Sequence, residues 1–210
     1  MKSKVSFNAL GIVLSVLQSY ALAASNEPVL DSKGRKIITG ERYSIVAAVK
    51  GNGGAVTLQS ETDCTSNVIQ QPKESTSYVD SVMFFPDRFN GSVLTATNLN
   101  IEFFKGIPLD HFNFDCINIR GWKLGPLDKK KDLRFVTVGA QGGTAKNRFQ
   151  IMKKEPSNTY GLYFCPKYCY PKCYSTCRSV GIYNDNGVRK LAWNDEPFLV
   201  KFVYFGDYLR

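Results

Sequence analysis

The amino-acid sequence predicts an all-β fold. Runs rich in β-branched and aromatic residues recur along the chain, and several alternate apolar with polar side chains, as residues 200–204 do. Glycine or proline separates these runs, for example at residues 51–54 and 142–143. No convincing amphipathic helix lies between them. These observations indicate many short strands joined by turns.

Each predicted strand combines β-branched or aromatic residues with a polar, glycine or proline boundary. In chain order the predicted strands are residues 43–49, 55–58, 79–85, 99–104, 114–119, 135–138, 148–152, 160–164, 180–183 and 198–205. The segment Asn184-Asp185-Asn186-Gly187 is typical of a hairpin turn between two strands. About ten to twelve short strands in one domain form a sandwich or a barrel, and the pattern alone does not choose between them.

The N-terminus is predicted to be a secretory signal peptide over residues 1–23. A basic start leads into an apolar stretch that closes with Ala21-Leu22-Ala23, the small-x-small pattern of a signal peptidase site. Asn8 and Gln18 interrupt the stretch, which argues against a membrane anchor. Residues 24–210 are therefore predicted to form a single secreted domain that is not bound to a membrane.

The charge pattern does not favour a nucleic-acid partner. The chain has 27 Lys and Arg residues against 18 Asp and Glu residues, and loss of the two signal-peptide lysines would leave 25 against 18, a net charge of +7. The basic residues are spread along the chain. The densest run, Lys129-Lys130-Lys131, is flanked by Asp128 and Asp132, as in a solvated loop.

No catalytic site is predicted. The one histidine, His111, is accompanied by neither a Gly-x-Ser-x-Gly elbow nor a His-Glu-x-x-His helix. The spacing of the acidic residues singles out no carboxylate pair for sugar hydrolysis. The sequence therefore predicts a protein that is not an enzyme and needs no cofactor.

An even number of cysteines in an exported chain indicates disulfides. The sequence permits fifteen pairings. Proximity favours Cys64 with Cys116, and Cys165 with Cys177 outside Cys169 with Cys173, but the pairing inside this cluster of four stays open. On a helix the cluster would line one face as in a zinc site. Two prolines within it and the oxidising compartment favour disulfides, so no metal site is predicted.

Both ends of the mature chain carry motifs that resemble one known family. Residues 29–37 read Val-Leu-Asp-Ser-Lys-Gly-Arg-Lys-Ile, and Tyr-Ser-Ile follows at 43–45. Toward the C-terminus the motifs are Tyr-Phe-Cys-Pro at 163–166, Asn-Gly-Val-Arg-Lys-Leu-Ala at 186–192 and Pro-Phe-Leu-Val-Lys-Phe at 197–202. Together they resemble the plant Kunitz family of the soybean trypsin inhibitor type.

The resemblance implies a β-trefoil. Six of its twelve strands would form a short barrel, and six would form three hairpins that cap it with three-fold pseudo-symmetry. The clustered cysteines resemble the nested two-bridge variant found in part of the family. The chain is also predicted to be a monomer that is secreted to the apoplast, with the vacuole as the alternative destination.

The resemblance also implies a protease inhibitor whose exposed loop lies between the fourth and fifth strands. Inhibitory members carry a basic residue about two dozen positions after the first cysteine, which in this sequence is Arg88. The implied reactive loop is Pro86, Asp87, Arg88, Phe89 and Asn90, with Arg88-Phe89 as the reactive bond. The implied partner is a trypsin-like serine protease, because a carboxylate in its specificity pocket would pair with the guanidinium group.

Two further residues bear on this loop. Inhibitory members commonly support the loop with an Asn side chain from the N-terminal segment, and Thr39 stands at the matching place. Asn90-Gly91-Ser92 is a sequon for N-glycosylation, so Asn90 is predicted to carry a glycan close to the reactive bond.

Two alternative functions remain open. The same fold inhibits cysteine or aspartic proteases in other family members. β-Trefoils also serve as binding modules, and some Kunitz relatives are storage, taste-modifying or defence proteins without inhibitory activity.

Overall fold

A computed structural model describes residues 26–60, 66–74, 80–88, 91–104, 121–140, 147–165 and 177–208. The predicted signal peptide, His111 and the predicted strand 114–119 lie outside these residues. The strands of the described part are β1 Tyr43–Ala47, β2 Val56–Leu58, β3 Val68–Gln70, β4 Ser81–Pro86, β5 Leu99–Phe104, β6 Gly121–Asp128, β7 Leu133–Ala140, β8 Phe149–Lys154, β9 Thr159–Phe164, β10 Arg178–Asp185, β11 Val188–Asn194 and β12 Leu199–Tyr204. A 3-10 helix, Phe205–Tyr208, follows β12.

Six strands form a closed barrel. β1 pairs with β12 and with β4, β4 pairs with β5, and β5 pairs with β8. β8 then pairs with β9, and β9 with β12, so the sequence of antiparallel pairings returns to its start. A closed ring leaves no free strand edge within the barrel.

The other six strands form three hairpins, which are β2–β3, β6–β7 and β10–β11. β11 pairs with both β3 and β7, so the hairpins meet one another. Each hairpin lies in sequence between two barrel strands, and the four-stranded unit therefore occurs three times, as β1–β4, β5–β8 and β9–β12. This arrangement is a β-trefoil, and the predicted fold is confirmed.

Aromatic rings form much of the buried core. Trp122 is fully buried, and its ring centroid lies 5.7 Å from that of Phe103 and 6.0 Å from that of Phe149. Phe84 and Phe202 meet edge to face at 5.3 Å. Edge-to-face and offset pairs of this kind add about 0.5–1.5 kcal/mol each beyond the area that they bury. This rigid core supports the loops at the ends of the strands.

Three observed strands, β3, β6 and β11, are absent from the predicted ranges, although the hairpin turn at residues 184–187 implied a strand after it. β3 has only three residues. β6 contains Gly125 and Pro126, which are disfavoured in strands, but the register shifts between Leu124 and Leu127. A bulge accommodates such residues because it interrupts the ladder locally.

The predicted turn at residues 184–187 is confirmed. β10 ends at Asp185 and β11 begins at Val188, and the two residues between them, Asn186 and Gly187, have φ angles of 53° and 88°. Positive φ at both central positions defines the tight turn whose twist matches that of the flanking strands.

A disulfide joins Cys165, at the end of β9, to Cys177, which precedes β10. The two Cα atoms lie 4.3 Å apart. The other four cysteines of the predicted bridges, Cys64, Cys116, Cys169 and Cys173, lie outside the described residues.

Candidate functional site

The predicted reactive loop begins where β4 leaves the barrel. The last pair of the β4–β5 ladder joins Pro86 to Leu99. The Asp87 amide then donates a hydrogen bond of 3.0 Å to the Asn98 carbonyl, which extends the pairing by one residue. The chain leaves the barrel at Arg88, directly after a backbone position that the barrel holds.

Arg88 is exposed to solvent. In the part of the chain that the structure describes, its guanidinium group makes no hydrogen bond or ion pair. Phe89 and Asn90, the next residues of the predicted loop, lie outside that part. An arginine that the described residues leave unpaired is available to a carboxylate on a partner.

Asp87, the residue before Arg88, is held by an ion pair within the protein. The Asp87 carboxylate forms an ion pair with the guanidinium group of Arg148, which precedes β8. The Arg148 side chain is only 17% exposed and that of Asp87 30%. Neighbouring residues of the loop therefore have opposite roles, since the acidic side chain faces the protein and the basic side chain faces solvent.

The N-terminal segment before β1 lies beside the returning limb of the loop. Ile38 forms a β-bridge with Ser92. The Thr39 amide donates a hydrogen bond of 3.1 Å to the Gly91 carbonyl. Thr39 was predicted to support the loop, and the described contact is made by its backbone.

Tyr43 positions this segment from the barrel side. The Ile38 amide donates a hydrogen bond of 3.0 Å to the Tyr43 hydroxyl oxygen. Burial raises the pKa of the Tyr43 phenol, and the hydrogen bond from Ile38 opposes this effect. The phenol stays neutral at physiological pH, so it holds the segment without adding charge behind the loop.

Neither a metal centre nor a membrane helix is found in the described ranges. No three His, Cys, Asp or Glu residues among them are grouped to hold a metal ion. No helix in the same ranges is long and apolar enough to span a bilayer.

The sequence profile of the legume Kunitz family, described as trypsin and protease inhibitors, matches residues 29–203. The chain belongs to the plant Kunitz family. Miraculin from Synsepalum dulcificum is 32% identical, with 96% of each chain covered. Kunitz trypsin inhibitor 5 from Arabidopsis thaliana is 33% identical over 85% of this chain and 86% of its own.

Solved structures of Kunitz proteins share the architecture. The Kunitz-type cysteine protease inhibitor PCPI-3 from potato superposes with a TM-score of 0.70 at 28% identity, covering 86% of this chain and 98% of its own. The family is described by its trypsin and protease inhibitors and not by enzymes, so this chain is not an enzyme.

Sequence reasoning missed the contribution of Arg148 to this Kunitz loop. It is one of many arginines in the sequence, and no local motif marks it. Its partner Asp87 lies 61 positions earlier, so only the closed barrel brings the two side chains together.

Proposed function

We propose that this Kunitz protein is a secreted protease inhibitor that inserts Arg88 into the specificity pocket of a trypsin-like serine protease. The observation that carries the proposal is the contrast at the end of β4. Arg88 is exposed and unpaired among the described residues, while the chain on both sides of the loop is hydrogen-bonded to the barrel or to the N-terminal segment.

The mechanism is substrate mimicry. The Arg88 guanidinium group pairs with the carboxylate at the base of the protease pocket, which places the Arg88-Phe89 bond at the nucleophilic serine. Attack by the serine forms an acyl-enzyme at the Arg88 carbonyl and releases the Phe89 amine. If the amine stays close, it attacks the acyl group and re-forms the peptide bond, and the serine is regenerated.

The structure supports this retention of the cleaved ends. The Arg88 side remains attached through the β4–β5 ladder and the hydrogen bond from Asp87 to Asn98. The other side remains attached through the contacts of Gly91 and Ser92 with the N-terminal segment. Loop ends that are held in this way lose little conformational entropy on docking.

The test is a titration of trypsin, chymotrypsin, papain and an aspartic protease with wild-type protein and two variants. Arg88→Ala should raise the trypsin inhibition constant by roughly 30-fold or more, because truncating one partner of a buried charge pair costs about 2–5 kcal/mol. Arg88→Lys keeps the charge and should retain most of the inhibition. The matched control is Lys129→Ala, which removes an exposed basic residue from the turn of the β6–β7 hairpin. Trypsin inhibition that is equal in wild type and Arg88→Ala would refute the proposal.

A cysteine protease is the second candidate target. The potato relative, which is named as a cysteine protease inhibitor, shares the fold at 28% identity. If the target is a cysteine protease, the protein inhibits papain, and Arg88→Ala leaves the papain inhibition constant unchanged.

A non-inhibitory binding role is a further alternative. Miraculin, a similar protein, has a name that does not refer to proteases. A non-inhibitory binding role predicts a negative result with all four proteases and a positive glycan array or partner pull-down.

We also propose that the chain is exported as a monomer after cleavage following about residue 23. The signal-like residues 1–23 and the Cys165–Cys177 disulfide support export. N-terminal sequencing of protein from the apoplast and from vacuoles identifies both the cleavage site and the destination, and light scattering gives the mass in solution.

A further inference from the structure

We propose that Arg148 is a positioning residue for the inhibitory loop, because it binds the Asp87 carboxylate and so keeps it away from Arg88. The inference rests on the proposed function. Arg148 lies outside the loop, and its role is to leave the Arg88 side chain free for the protease.

The first observation behind this proposal is that two residues of opposite charge are adjacent in the loop. Asp87 and Arg88 are neighbours in the bend that follows β4, where side chains no longer alternate between two faces as they do in a strand, so a free Asp87 carboxylate could approach the Arg88 guanidinium group. In the structure this carboxylate is bound to Arg148, and Arg88 has no ion-pair partner among the described residues. Arg148 and Arg88 compete for the same carboxylate group. The ion pair with Arg148 therefore lowers the fraction of molecules in which Asp87 pairs with Arg88.

The second observation is that residues 148–150 restrain both the side chain and the backbone of Asp87. Gln150, two positions after Arg148 and therefore on the same side of the extended chain, donates a hydrogen bond of 2.7 Å to the Asn98 side-chain oxygen. The Asn98 carbonyl in turn accepts the Asp87 amide. We call Arg148 and Gln150 the β8 brace, since one residue binds the Asp87 side chain and the other binds the partner of its backbone.

The third observation is that the brace is itself fixed in place. The Arg148 carbonyl accepts a hydrogen bond of 3.1 Å from the Cys165 amide, and Cys165 is joined by a disulfide to Cys177. Phe149, between the two brace residues, is fully buried and pairs with Leu99 of β5. A side chain that extends from so restrained a backbone segment loses little further freedom when it binds Asp87.

The β8 brace also affects the binding of the protease to the loop. In substrate-like binding, Asp87 enters the protease cleft together with Arg88, and an unpaired carboxylate there would be desolvated at a cost. Arg148 supplies the compensating charge from within the inhibitor. Loss of Arg148 therefore weakens binding in two ways, by freeing Asp87 to hold Arg88 and by leaving a bare carboxylate in the interface.

The experiment measures trypsin inhibition by Arg148→Ala, Asp87→Asn and the double variant, together with melting temperatures. Arg148→Ala should raise the inhibition constant by about tenfold, the scale of a partly buried ion pair. Asp87→Asn should have a smaller effect because it leaves no free carboxylate. The double variant should match Asp87→Asn rather than the sum of both effects, and Arg148→Lys should restore most of the inhibition.

A matched control separates positioning from general stability. Lys153→Ala removes a basic residue of β8 itself and its exposed ion pair with Glu27, and it should leave the inhibition constant unchanged. Equal inhibition by wild type and Arg148→Ala, or additive effects in the double variant, would overturn the inference. If Arg148→Ala does not fold, Arg148→Gln and Arg148→Lys still test the pair, since Lys keeps the charge and should retain inhibition whereas Gln should reduce it.

A second readout separates this inference from the proposed function. The rate at which trypsin cleaves after Arg88 is measured by mass spectrometry for each variant. If wild type does not inhibit trypsin, the proposed function fails, but the brace still predicts that Arg148→Ala changes this cleavage rate whereas Lys153→Ala does not. An unchanged rate in both variants would contradict the brace.

Discussion

The Thr39 amide donates a hydrogen bond of 3.1 Å to the Gly91 carbonyl, but the Thr39 hydroxyl is buried and has no partner among the described residues. The same residue thus supports the loop with its backbone and carries a polar group that the described part of the protein does not satisfy. The two features can be separated by mutation, because the hydrogen bond from the amide does not depend on the side chain.

Thr39→Val should stabilise the protein and leave inhibition intact. Valine has the same shape and replaces the unpaired hydroxyl by a methyl group, which removes a desolvation penalty of about 1 kcal/mol or more. The free energy of unfolding, measured with urea, should therefore rise, and the trypsin inhibition constant should stay within about twofold because the backbone hydrogen bond remains. A loss of stability would indicate that the hydroxyl binds a residue outside the described ranges.

A glycan on Asn90 should weaken inhibition. The sequon Asn90-Gly91-Ser92 begins two residues after Arg88, where a docked protease needs space. Protein from a glycosylating host should thus have a higher trypsin inhibition constant than the Asn90→Gln variant from the same host, with occupancy measured by mass spectrometry. In a host that adds no glycan, the two proteins should behave alike. If the fully occupied protein inhibits as well as Asn90→Gln, the predicted steric conflict does not exist.

Strands with a strong local pattern could be predicted from the sequence. β5 alternates buried and half-buried residues from Leu99 to Phe104, and its predicted limits agree with the observed ones. β6 escaped prediction because its bulge suits residues that a regular strand avoids. Local periodicity reports on one strand at a time, so it could not decide between a barrel and a sandwich. The β-trefoil was predicted only through the family resemblance.

The candidate site, like the fold, could be predicted only in part. Arg88 and Asp87 were predicted from their place in the family pattern, and the structure locates them at the end of β4. The contact of Asp87 with Arg148 could not be predicted, because it joins the first four-stranded unit to the second across 61 positions. A contact of this kind depends on the closure of the barrel, which no local sequence signal encodes.

Gly187→Ala should destabilise the β10–β11 hairpin. Gly187 has a φ of 88°, and a Cβ atom there would meet no other atom within 4 Å, so the cost comes from the backbone and not from a clash. The left-handed region costs an alanine about 1–2 kcal/mol, and urea unfolding should show a loss of this size. Gly187→Asn is the matched comparison, since asparagine tolerates this region better and should lose less. Equal losses for both variants would show that the φ angle is not the cause.

The last prediction concerns acid stability and rests on an ion-pair cluster between two hairpins. Lys131, in the turn after β6, lies 2.7 Å from one oxygen of Asp185, and Lys190 of β11 lies 2.8 Å from the other. The hydrogen bond from Lys131, followed by that from Lys190, holds the pKa of the Asp185 carboxyl below its usual value of 3.8. The Lys131 contact joins the β6–β7 hairpin to the β10–β11 hairpin.

A carboxyl group with a lowered pKa in the folded protein stabilises the fold above its unfolded pKa, and the stabilisation is lost as the pH falls through the folded value. Asp185→Asn should therefore melt at a lower temperature than wild type at about pH 7, and the difference should shrink as the pH falls below about 4. Asp195→Asn provides the control, because it removes the same charge from an exposed loop position outside the cluster. Melting temperatures are measured by calorimetry over this pH range. A constant difference between wild type and Asp185→Asn at every pH would show that the cluster stabilises the hairpins by packing, since packing does not titrate with the carboxylate.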